Sequence, residues 1–180
     1  MEKMKKLSCF FLVLCMVFLL AACDSGGGGS DDDNVPVDPF PAIAVDPFLP
    51  DEFAGLTIAA LYKSDLDIEE EEVSGVTYVT KELNSVYMFD DLTFVSTSTK
   101  IYVNKSTGAV NEALTKKERE TKGTFTKTGT YSDGTLNISR THEWEDDHWE
   151  EDPEAKSFTV TGGVFTISES GITIKYTLSS

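Results

Sequence analysis

The chain has 180 residues, room for one ordinary domain with appendages, and a formal net charge of −16. Apolar residues make up 40% of it and aromatic residues 11%, enough to fill a core. The acidity excludes nucleic acid and anionic membrane surfaces as electrostatic partners. It leaves basic protein surfaces or divalent cations, beside the plainer role of a well-solvated exterior.

The first element is Leu7–Leu20, an unbroken apolar run (LSCFFLVLCMVFLL) preceded by Lys3, Lys5 and Lys6. It is too short to span a bilayer comfortably, so residues 1–22 read as a secretory signal peptide. Its end, Leu20-Ala21-Ala22-Cys23, resembles the bacterial lipobox. That resemblance implies cleavage before Cys23 and a diacylglyceryl group on its sulfur, hence an exported protein lipid-anchored to a bacterial membrane, periplasmic or at the cell surface. An ordinary secretory signal with an incidental Cys23 is the alternative. Cys9 and Cys15 leave with the signal, so the mature chain forms no internal disulfide. Losing Glu2 and the three lysines takes the net charge from −16 to −18.

Residues 23–52 read as a flexible tether. Asp24–Asn34 (DSGGGGSDDDN) has no apolar residue, and its glycines and repelling aspartates keep it extended. The following stretch repeats Val37-Asp38-Pro39-Phe40 as Val45-Asp46-Pro47-Phe48, where proline removes backbone donors and fixes φ. Phe40 and Phe48 either belong to a plain linker, dock on the domain, or meet a partner in extended form.

Residues 53–180 read as a β-domain. Ile172–Leu178 alternates apolar residues with Thr or Lys, and Leu136–Ile138 and Phe158–Val160 alternate apolar with polar residues likewise. Gly75–Thr80, Val86–Phe89, Leu92–Ser96 and Lys100–Val103 are further strands, separated by turn-prone Asn84-Ser85, Asp90-Asp91 and Lys105–Gly108. One short helix fits Asn111–Glu120. Phe125–Gly129 and Phe158–Gly162 share the pattern F-T-x-T-G, each opening a hairpin. The fold class is all-β, an antiparallel up-and-down meander rolled into a small barrel or sandwich. Lys122–Ser139 followed by Phe158–Leu178 resembles the meander of lipocalin-like domains in small bacterial lipoproteins. The resemblance implies a barrel that binds a small apolar ligand.

His142–Asp152 (HEWEDDHWEED) packs two histidines, two tryptophans and seven carboxylates into eleven residues. If the strand turns at Asp146-Asp147, Trp144 faces Trp149 and His142 faces Glu151. The two histidines then point to opposite faces and share no metal. His142, His148 and Asp146 are accordingly weak metal candidates, and Pro153 argues against a long regular return strand. The segment reads as a solvated hairpin tip or loop, as a loose cation site, or as the lip of a pocket. For the last reading, Arg140, His142 and Trp144 share the parity of Leu136 and Ile138 and would point inward, while Arg140 could equally pair with a carboxylate.

No serine or cysteine stands beside a base, and the glycine run opens no helix, so the chain reads as non-enzymatic and free of cofactors. The functional expectation is an envelope lipoprotein binding a small apolar ligand. The alternative is a surface interaction or structural protein whose acidic face meets a basic partner or divalent cations.

Overall fold

The computed structural model describes residues 38–169 and 172–179. The signal segment, Cys23 and the tether as far as Val37 lie outside the described residues.

The strands are β1 (Ile58–Ser64), β2 (Asp67–Val73), β3 (Val76–Phe89), β4 (Thr93–Asn104), β5 (Lys116–Gly129), β6 (Gly134–Glu145), β7 (His148–Val160), β8 (Val164–Glu169) and β9 (Ile172–Leu178). In β3, β4, β8 and β9 the abundance of Thr, Val, Ile, Tyr and Phe suits a pleated, half-buried surface and favours pairing. Every pairing is antiparallel, in the order β7-β6-β5-β4-β3-β1-β9-β8. β2 and β1 share one side of β3, β2 along its first half and β1 along its second. The sheet curls until its ends approach, with the rings of Phe158 on β7 and Phe165 on β8 5.4 Å apart. The result is a nearly closed antiparallel barrel, the expected all-β meander, consistent with a lipocalin-like barrel. Its interior is packed by Tyr62, Met88, Phe94, Phe125, Leu136 and Phe165, among others.

Three local expectations change. Asn111–Thr115 is a turn, closed by Thr115 N–H donating to the Asn111 carbonyl, and Lys116 already opens β5, so the expected helix gives way to strand. A segment without an apolar face gains more by pairing with β4 than by helix propensity. Asn84-Ser85 is not a turn but lies inside β3, where the strand changes partner: Glu82 is the last residue opposite β2 and Ser85 the first opposite β1. There the Asn84 amide donates to Ser64 Oγ at 3.0 Å. The second F-T-x-T-G unit is not a full hairpin either, because β8 leaves β7 after the single bridge Thr161–Val164 and pairs with β9.

The described part of the expected tether, Asp38–Glu52, is packed rather than free. It straps the face of β3 and β4 turned away from the barrel interior, where Phe40, Ile43 and Val45 cover Leu83, Ile101 and Val103. Further along, Leu49 and Phe53 cover Tyr87, Phe89 and Val95, with Phe53 stacked on Phe89 at 5.7 Å. Polar groups fasten it. Lys81, fully buried, pairs with Asp38 at 2.8 Å and donates to the carbonyls of Phe40 and Ile43. Thr97 Oγ1 donates to the Phe48 carbonyl at 2.7 Å. Without the strap, β3 and β4 would present these apolar stripes to water.

Candidate functional site

The hairpin β6–β7 has the register read from the sequence: Glu145 faces His148, Trp144 faces Trp149, Glu143 faces Glu150 and His142 faces Glu151. Asp146 and Asp147 turn the chain with φ of 46° and 63°. Both positive values belong to the two-residue turn that matches strand twist. The tryptophan rings meet edge to face, 5.0 Å apart at 77°, an arrangement that adds about 0.5–1.5 kcal/mol beyond area burial.

The common inward parity of Arg140, His142 and Trp144 does not survive. At Thr141 the registers with both neighbours shift: Gly123 faces Arg140 but Lys122 faces His142, and on the other side Arg140 faces Glu154 but His142 faces Glu151. Such a bulge bends the strand and re-aims the side chains beyond it. Asp152 and Pro153 fall into the slack, so β7 stays long through the proline at the cost of regularity. Arg140 remains on the side of Leu136, where it pairs with Asp152 at 2.6 Å and Glu154 at 3.2 Å. Its partners are carboxylates of the neighbouring strand.

His142 and Trp144 turn to the strapped face. Arg119 lies 4.6 Å from the Trp144 ring and grips Glu52 of the strap with two bonds, at 2.8 and 3.0 Å. Arg119 and, beside it, the Trp149 indole help hold the Glu52 carboxyl below its ordinary value. His142 Nδ1 is 2.8 Å from Thr141 Oγ1, which itself donates to the Lys122 carbonyl. Around His142 opens a cavity of about 340 Å³ between the strap's end (Glu52, Phe53, Leu56), the β3–β4 turn (Asp91, Thr93) and β5 (Lys122–Thr124). The volume falls at the low end of small-molecule sites, about 300–1,000 Å³, and the cavity is a cleft open to solvent rather than an enclosed pocket. Gly123 is obligatory in its wall, since a Cβ there would stand 2.1 Å from the Ser139 carbonyl oxygen.

Sequence reasoning found His142, and of its three readings of Phe40 and Phe48 the structure takes docking on the domain. It missed Lys122 and the strap residues Glu52, Phe53 and Leu56, because nothing local announces where a proline-rich segment ends its path across the sheet. It also missed a carboxylate group on the other face. Glu82 accepts from Ser98 Oγ at 3.0 Å, and Glu118 stands opposite the same serine on β5. Burial, then Glu82, pushes the neighbouring Glu120 carboxyl up to about 7, with Glu118 and Glu143 adding to the effect and a bond from Ser96 opposing it.

His148 points away from His142, pairing with Glu150 at 3.0 Å. Among the described residues no group of three His, Cys, Asp or Glu is placed to hold a metal ion. No helix of the described residues is long and apolar enough to cross a membrane. Comparison with family models, curated proteins and solved structures yields no match.

Proposed function

We propose that the chain is a lipid-anchored, non-enzymatic lipoprotein of the bacterial cell envelope whose barrel-like domain holds a small, mainly apolar ligand. The basic and apolar leader ending in Leu20-Ala21-Ala22-Cys23 supports the anchor and the exported location. The nearly closed barrel is compatible with ligand binding, and the observation that carries the reading is the cavity beside His142. Aromatic side chains occupy much of the barrel's interior, where the ligand was expected, so this reading moves it to the cleft beside His142, at the end of the strap.

A second reading, an acidic surface for a basic partner, draws on one feature. Glu69–Glu72 run consecutively along β2, which among the described residues pairs only with β3, so both faces of an outlying strand carry carboxylates, of which Glu70 pairs with Lys105 and Glu71 with Lys100. Such binding would weaken with salt.

Cells treated with globomycin, or carrying Cys23→Ser, should accumulate an unprocessed form and stop incorporating labelled fatty acid. Release of the same processed species into soluble fractions with and without treatment overturns the anchor. For the ligand, native mass spectrometry of the purified chain should show a bound small molecule or saturable uptake of an added one.

A further inference from the structure

We propose that the cavity beside His142 selects amphipathic anions, the Lys122 ammonium taking a carboxylate while Phe53, Leu56 and Phe94 receive an apolar chain. The inference rests on the ligand-binding reading above and adds the charge class.

The charge inventory of the wall carries it. The cavity has two carboxylates, and both are occupied: Glu52 by the two bonds from Arg119, Asp91 by the Thr93 amide at 3.0 Å and hydroxyl at 2.6 Å. Lys122 makes no ion pair among the described residues; its ammonium lies 4.4 Å from the Trp149 ring. Burial pushes that ammonium below its ordinary value, with Glu52 only partly opposing. A half-buried cation with no direct ion pair, and with its nearest carboxylate already held by Arg119, is an unfavourable arrangement that an incoming anion relieves. His142 stands directly opposite Lys122 on β6. In a chain of net charge −16 such a spot is local, so long-range attraction plays no part and the contact must be direct. The apolar side is supplied by Leu56, 37% exposed at the cavity's edge, and by the Phe53 and Phe94 rings.

The test uses three probes of equal chain length, octanoate, 1-octanol and octylammonium, titrated into the purified full-length chain. Intrinsic fluorescence is the readout, since Trp149 lies under Lys122. Octanoate should bind saturably and about tenfold or more tighter than either of the others, the factor a charge-assisted contact supplies. Lys122→Met should reduce octanoate to the affinity of octanol and leave octanol unchanged. Lys122→Arg, which keeps the charge and guards against a folding artefact, should retain the preference. Leu56→Asp should weaken octanoate and octanol together. Equal binding of octanoate and octanol, tighter binding of octylammonium, or indifference to Lys122→Met overturns the anion selection and leaves the ligand-binding reading standing. Binding of none of the three overturns both.

Discussion

At the scale of single residues, the strap depends on one buried lysine. Lys81 has no exposed surface, and its three partners all come from the strap: Asp38 and the carbonyls of Phe40 and Ile43. The two copies of the V-D-P-F repeat are therefore unequal. Asp38 is latched and also accepts the Phe40 amide at 2.8 Å, while Asp46 is exposed. Asp38→Ala should cost about 3 kcal/mol by stranding a buried cation, whereas Asp46→Ala should stay within about 0.5 kcal/mol. Urea denaturation of both variants checks this, and equal losses would deny the latch. The sequence displayed the repeat but not the asymmetry, because Lys81 is set forty-one residues from Phe40 in a strand that looks ordinary on its own.

At the scale of elements, local signals were read well where pairing is local. The register of β6–β7 follows from two tryptophans and a two-residue turn, all between Trp144 and Trp149. What stayed hidden was the bulge at Thr141, which depends on β5 as well as β7 and reverses the face of His142 and Trp144. Turn residues misled where tertiary contacts used them otherwise, as at Asn84-Ser85, where a partner change in β3 needs a side-chain acceptor from Ser64. The hairpin tip offers a direct check. Asp146 and Asp147 both hold positive φ, a conformation asparagine and glycine adopt more readily. Asp146→Asn with Asp147→Gly should raise stability by about 0.5–1 kcal/mol in thermal unfolding, and a loss would mean that the turn geometry is otherwise.

At the scale of the whole molecule, two carboxyl groups shifted in opposite directions contribute to the response to pH. Burial, then Glu82, raises Glu120 to about 7, so the folded state holds its proton more tightly than the unfolded chain does. Its contribution is full below the ordinary value of 4.5 and is lost as pH rises through about 7. For Asp38, burial alone would raise the pKa, but the bonds from Lys81 and the Phe40 amide outweigh it and hold the group below its ordinary 3.8. Its contribution is present above that value and fades as pH falls further. Glu120→Gln should therefore match the parent near pH 4.5 and exceed it at pH 8 by on the order of 2 kcal/mol. Urea midpoints across pH read this directly, and a difference that does not vary with pH would remove Glu120 as its source.

The fastening at Asp38 also fixes how the domain meets mechanical load. Tension arriving along the backbone from the amino-terminal side enters the described fold at the Lys81 ion pair, ahead of Phe40, Ile43 and Val45. Those contacts would rupture one after another, as adhesive tape lifts from its end, and slack would be released before any hydrogen-bonded ladder of the barrel felt the pull.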